Sequence, residues 1–549
     1  MKNLINKYFL ILLVLLPIAA CDDFLSSPPI DRLGSESFYA SPTQSEQGVM
    51  GIYADLRYIT GVEYNYLSEC KSDNAYAAPT TNGYREFSEI GNFRASESEE
   101  TFNSMWNSWY KLIYDANVAL SKIPGCDFGT RESFKNQLIG EVHFLRGWAY
   151  FELARLFGNI PIVDKPMSPG EVANLPQSPA GEVYAKIIIP DLKNAKLLLP
   201  IDADMKDANT ASIAGKGRAD KIAAQAMLGR IYMTMAGFPV NDASAQALAE
   251  TELNEVIKFS EANNNKYWAP DSTEWRKQWI SDYNNKYSIF AIQYRSGGYG
   301  NPAIFNYGPE LPDNYTVRRI FGNAIYLEKT LLYEFDRVYG DGGRNRKDSR
   351  GYGHTVLAGF DAYLDVTAYP VTFGTVDIDG GTYPVQLNAI PYKYMNSIPK
   401  RSGLGFASID GTLKDDYDWP VNFPVIRYED VLLMYAEILV AKNDIAGAMS
   451  IVNRIRTRSG CTAETAANAA EALKFVKRER RVELALEGVR WFDLVRWNEW
   501  KSAVINMFDR YGNPTGTDVN NVKDGRYLCP IPSGQRSVKP GFYTQNEGY

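Results

Sequence analysis

The sequence predicts a mainly α-helical protein in which helix pairs stack into a scaffold and a loop-rich variable region carries short β-hairpins. Three observations predict it. Apolar residues recur at three- and four-residue spacing over many stretches, which places them on one face of a helix. Tight links join neighbouring stretches, which favours antiparallel pairs stacked on one another. Between residues 263 and 422 that periodicity fades and Gly, Pro, Asn and Tyr dominate.

The helical elements follow in order. Residues 101–123 carry Phe102, Met105, Trp109, Leu112, Ile113, Ala116 and Leu120 at helical spacing. Residues 131–157 repeat the pattern and stop at Gly158, with Pro161 beyond. Residues 180–199 form a third stretch, which Pro190 should kink because it has no N–H to donate. Residues 220–236, dense in Ala and Leu, and 244–262 follow. Residues 428–442 and 445–458 form a pair across Asn443-Asp444 that looks like one tetratricopeptide-type unit, without a clean 34-residue period along the chain. Residues 464–500 hold the last helical region, broken near Gly488. Inside the loop-rich region, Thr375–Ile378 and Thr382–Val385 flank Asp379-Gly380-Gly381 and read as a β-hairpin. A calcium loop is the weaker reading there, because Asn388 stands where an EF-hand needs its twelfth-position carboxylate.

The first twenty residues read as an address. Lys2 and Lys7 precede an apolar run at 8–20 that is too short for a membrane-spanning helix. Ile18-Ala19-Ala20-Cys21 resembles a lipoprotein signal, with Cys21 the lipidation site and new N-terminus. Asp22 and Asp23 then resemble the surface-export signal of Bacteroidota lipoproteins. Acyl chains on Cys21 would hold the body at a membrane, since each buried CH₂ contributes about 0.8 kcal/mol. The organisation is therefore 1–20 signal peptide, 21–262 helical region, 263–422 loop-rich region, and 423–549 C-terminal helical region and tail.

Composition narrows the function. Over 549 residues the net charge is −7, and no basic run tracks a phosphate backbone, so nucleic acid is excluded as a partner. Two histidines and no C-x-x-C leave no recognisable metal site, and no cofactor motif is present. Cys70, Cys126, Cys461 and Cys529 allow three disulfide pairings or four free thiols. Tyrosine is in excess, at 36. Eight lie in 53–114 and sixteen in 261–400, but only Tyr150, Tyr184 and Tyr232 in 115–266. That distribution places the aromatics in loops on a rigid frame, where binding residues collect.

The candidate ligand residues are Asp73, Asn74, Tyr76 and Tyr84 in the first cluster, and Tyr299, Phe305, Tyr307 and Tyr315 after a strand-like 289–294. For any single aromatic, packing within its loop is the simpler reading, and at least two of the set are expected to contact ligand. Trp268, Trp275 and Trp279 are second choices, because the last two share a helical face. Glu479, Glu483 and Glu487 could be mistaken for a glycosidase carboxylate pair. Arg480, Arg481, Arg490 and Arg496 crowd the same segment, so bidentate Arg–carboxylate pairing is the simpler account. Asn453, Arg454, Arg456 and Arg458 read as a helix surface. No catalytic residue is assigned.

At this point the chain resembles the SusD/RagB family of outer-membrane nutrient-binding lipoproteins. The likeness runs from Cys21-Asp22-Asp23-Phe24-Leu25 through Trp109, Tyr110 and Asn117, then Arg146-Gly147-Trp148 and Phe157-Gly158-Asn159-Ile160-Pro161. It continues in Ile426-Arg427-Tyr428, Glu479-Arg480-Arg481, Arg490-Trp491-Phe492-Asp493 and the ending Gln545-Asn546-x-Gly548-Tyr549. The resemblance implies tetratricopeptide-like helix pairs and a non-enzymatic role. Such a protein binds a nutrient oligomer, a glycan or in some members a peptide, for a SusC-like TonB-dependent channel, and is lipid-anchored on the outer membrane facing outward. The competing readings are a lipoprotein glycoside hydrolase and a scaffold that binds only protein.

Overall fold

The computed structural model describes residues 38–77, 85–215, 217–279, 287–295, 297–303, 325–336, 373–378, 381–386, 421–507, 515 and 517–549. The expected lipidation site Cys21 and the candidates Tyr84, Phe305, Tyr307 and Tyr315 lie outside them.

A helix the periodicity did not single out begins the frame. In α1 (Pro42–Ile59), the Ser41 side chain accepts the Gln44 N–H and proline occupies the first turn, a combination that favours a helix start. Next come α2 (Glu100–Lys122) and α3 (Glu132–Phe157), which ends at Gly158 with φ +72°. The third expected helix departs from a simple kink. It runs as Ala180–Val183, a π-turn at Tyr184–Ile188, and α4 (Ile189–Leu198). Pro190 has no N–H for the carbonyl four residues back, and the wider turn ahead of it absorbs the mismatch. Then follow α5 (Lys221–Ala236), capped by Asp220 through the Ala223 N–H, and α6 (Ala245–Ala262).

Each helix packs on its neighbour in chain order, and α6 packs directly on α7 (Tyr428–Ala441). The stack therefore passes over the loop-rich insertion without a break. α7 pairs with α8 (Ile445–Arg458), and α9 (Ala469–Glu483) covers both. Beyond Gly488, whose φ is +73°, α10 (Arg490–Arg496) completes this end. One apolar core joins the two helical halves. Trp109 meets Trp148 edge-on at 5.5 Å, and Phe290 packs on Phe144 at 4.9 Å.

Among the described residues, three two-stranded antiparallel ladders serve the insertion. Ala75–Ala77 (β1) pairs with Ile325–Leu327 (β3), and Ser288–Ile292 (β2) pairs with Phe423–Arg427 (β6). The chain thus leaves the frame along β2 and returns beside it along β6. The expected hairpin is present as β4 (Phe373–Ile378) and β5 (Gly381–Gln386), with Ile378 opposite Gly381. None of the four cysteines within the described residues is in a disulfide, and Cys70, Cys461 and Cys529 are buried.

Candidate ligand site and its buried support

The tyrosine clusters resolve into two populations. Tyr53, Tyr64, Tyr66 and Tyr110 stand on helical segments rather than in loops, and their bodies are buried or half-buried. The hydroxyls of Tyr53, Tyr64 and Tyr110 are spent internally, Tyr53 on Glu141 at 3.0 Å, Tyr64 on Glu152 at 3.4 Å and Tyr110 on the Pro161 carbonyl at 2.8 Å. Tyr114, on α2, is 48% exposed; Tyr58 and Tyr299, exposed at 74% and 47%, share one surface.

These two exposed rings are brought together by the end of α1 and the segment after β2. The Tyr294 hydroxyl donates to the Arg57 carbonyl at 3.1 Å and lies 3.0 Å from Thr60 Oγ1, so β2 is tied to the last turn of α1. Gly297 and Gly298, at φ +94° and +89°, turn the chain. The Arg295 N–H then bonds the Tyr299 carbonyl at 3.1 Å. Pro302 packs on Gly61, 3.3 Å from where a Cβ would stand. The Arg57 guanidinium sits 4.9 Å from the Tyr299 ring centre and 5.7 Å from that of Tyr58, and the Arg295 guanidinium 4.8 Å from that of Tyr299. The result is a solvent-facing surface of two aromatic rings and two cations. Sequence reasoning named Tyr299 and missed Tyr58, Arg57 and Arg295. A cavity of about 710 Å³ opens beside Gln293, two residues before Arg295, with Trp268, Lys266 and Asn264 on its wall.

Asp73, Asn74 and Tyr76 are not part of that surface. Asp73 accepts two bonds from Arg490, at 2.6 and 2.8 Å. Asn74 accepts from Arg481 at 3.1 Å and donates to Glu69 at 3.2 Å. Tyr76 is buried in β1 opposite Tyr326. Burial alone would raise the Asp73 pKa, but Arg481 and Arg490 reverse that and hold the carboxyl well below its usual range. This segment joins the β1–β3 ladder to α9 and α10.

The same logic decides the glutamate ladder. Arg427, on β6, reaches Glu487 with two bonds at 2.8 Å, Glu429 at 2.7 Å and Glu483 at 3.0 Å. Arg458 reaches Glu429 at 2.8 Å and Glu483 at 2.6 Å. Arg480 pairs with Asp493, and Arg496 with Glu437 at 2.6 and 2.8 Å. The anticipated arginine pairing is there, supplied in part by distant elements. Asp430, flanked by Arg230 and Arg480, is lowered to about 2 against the opposing effect of burial. Glu483 is fully buried and Glu487 is 4% exposed, so neither can straddle a glycosidic bond. Arg456 and Arg458 are buried rather than on a helix surface, because Glu429, Glu464, Glu479 and Glu483 draw them inward. Trp275 and Trp279 are core residues with ring centres 5.7 Å apart, as their spacing implied. Among the described residues no group of three or more His, Cys, Asp or Glu side chains is placed to hold a metal ion.

Comparison with known families completes the picture. Residues 409–549 match the SusD family, and residues 23–233 match the family described as starch-binding, associating with outer membrane. The chain is a member of the SusD/RagB family. The SusD-like protein P2 of Formosa agariphila is 26% identical over 565 residues, covering 99% of this chain and all of that one. A crystal structure of a SusD superfamily protein from Parabacteroides distasonis superposes with a TM-score of 0.67 at 24% identity, over 92% of this chain and 99% of its own. A laminarin-binding SusD-like protein gives 0.67 at 23%, over 93% and 100%. At these identities the structures establish a shared SusD fold. No described helix is long and apolar enough to cross a membrane, and one family description names outer-membrane association.

Proposed function

We propose that this SusD-family chain captures oligosaccharides at the bacterial surface and delivers them to a SusC-like TonB-dependent outer-membrane channel. The observation that carries this reading is the exposed Tyr58–Tyr299 surface with its two guanidiniums, held on the helical frame beside the exit of the variable region. Sugar rings have an apolar C–H face that lies on an aromatic ring, while their hydroxyls bond polar side chains around it. A surface that open keeps its water and binds with moderate affinity, which suits hand-over to a channel. The laminarin-binding relative supports the ligand class. Anchoring through Cys21, with the body facing outward, would place the site beside the channel mouth.

Capture rather than cleavage fits the burial of Glu483 and Glu487 behind Arg427 and Arg458. The test is a panel of polysaccharides offered to the purified protein. Retardation in polysaccharide-containing native gels with no new reducing ends is the expected result; released sugars would refute the binding role. Solubilised outer membranes should yield a large β-barrel partner with the tagged protein. A protein that is always recovered alone would refute delivery.

A further inference from the structure

We propose that the Tyr58–Tyr299 surface selects an anionic glycan, one bearing uronate carboxylates or sulfate esters. This rests on the reading of that surface as the glycan site. Most of the buried arginines of this protein are neutralised. Arg427, Arg458, Arg480, Arg490, Arg496 and Arg218 each have a carboxylate oxygen within 3.0 Å. Among the described residues Arg57 and Arg295 have no such partner; Arg131, Arg454 and Arg526 have none either, but their guanidiniums bond the Ala208 carbonyl, Asn265 and the Gly548 carbonyl. Asp55, the nearest acid before Arg57 on α1, is already held by Lys111 at 2.7 and 2.8 Å.

The donors of Arg57 are left open. Its guanidinium makes one long bond, from Nη2 to the Gly298 carbonyl at 3.5 Å, and its Nε is buried without a partner. An unpartnered donor in that state is costly, and it is the outer nitrogens of the guanidinium, with only the long bond to Gly298, that a ligand's acceptor would take. Both guanidiniums also crowd a single ring: each lies within 5 Å of the Tyr299 centre, so their charges are at most about 10 Å apart, roughly one Debye length. An anion bound beside that ring would gain from both positive charges at once. A carboxylate or sulfate accepts the planar guanidinium fork with two parallel bonds, whereas a sugar hydroxyl offers neither the charge nor the second acceptor. The chain as a whole carries −7, so a polyanion has no general attraction to it and must be recognised locally.

The experiment measures affinity for laminarin as the neutral probe, polygalacturonate as the uronate probe, and dextran sulfate against dextran as the sulfate pair. The expected result is that one charged probe binds at least about tenfold tighter than laminarin, the equivalent of one charge-assisted contact, and weakens as salt is raised. Arg57→Gln/Arg295→Gln should then reduce the ratio of charged to neutral affinity by a similar factor. Which charged probe wins distinguishes carboxylate from sulfate. Laminarin binding as tightly as both charged probes, with Tyr299→Ala still abolishing it, would overturn the anionic preference and leave the glycan reading intact. No retention of any polysaccharide would overturn both.

Discussion

Removing the guanidinium of Arg427 should be among the most damaging single changes in the frame. Arg427 is 1% exposed and makes five hydrogen bonds to Glu429, Glu483 and Glu487. In Arg427→Met the stem volume is kept and the charge is lost. Arg458 still reaches Glu429 and Glu483, but one guanidinium then serves carboxylates that two had shared. Breaking a buried ion pair by removing one partner costs about 3–5 kcal/mol, chiefly as the penalty of burying uncompensated charge. Urea unfolding of the wild type and the variant measures it. Lys186→Ala, which removes the exposed Lys186–Glu182 pair, is the control and should leave the midpoint unmoved. A loss below about 1 kcal/mol in Arg427→Met would refute the claim that these carboxylates are structural, and would reopen a catalytic reading of Glu483 and Glu487.

Other outcomes follow from the same structure. Gly147 lies where α3 crosses α4, and an added Cβ would meet Leu192 and come within 3.0 Å of Asp191 Cβ, so Gly147→Ala should cost about 1–3 kcal/mol in the same assay. Burial raises the Asp220 carboxyl to about 6; a raised folded-state pKa favours the native state at low pH, and that contribution is lost as pH climbs from about 4 to about 6. Asp220→Asn keeps a helix cap, so its stability relative to wild type should improve by up to about 3 kcal/mol between pH 4 and pH 7, and an unchanged difference would contradict the assignment. Cys21→Ala should move the protein from membrane to soluble fractions, and continued membrane attachment would exclude lipidation there.

Most of the helical frame was legible in the sequence, because long amphipathic stretches with Gly or Asn breaks declare themselves locally. The turn at Pro190 was legible as a disturbance but not as a π-turn, since the geometry that absorbs a missing N–H depends on what α4 packs against. α1 escaped notice although Ser41 and Pro42 mark its start; polar residues interrupt its apolar stripe. The pairing of the glutamate ladder was readable from the local density of arginine. Its partners Arg427 and Arg458 were not, because they arrive from other elements. Asp73 and Asn74 illustrate the same limit. They looked like loop residues awaiting a ligand, yet they are claimed by Arg490 and Arg481, more than four hundred positions away in the chain. Tyr299 was legible as a loop aromatic after a strand. Its neighbours Arg57 and Tyr58 were not, since only the bond from Tyr294 to the end of α1 brings the two segments together.

The most direct test of the central claim is the mobility of wild type and Tyr58→Ala/Tyr299→Ala in native gels containing a polysaccharide that the wild type binds. Neither ring is buried in the core, so the variant should unfold at the wild-type urea concentration. Its retardation should fall to that seen in a polysaccharide-free gel, an affinity loss of at least about tenfold for two lost aromatic platforms. A correctly folded double variant that is retarded as strongly as the wild type would contradict it.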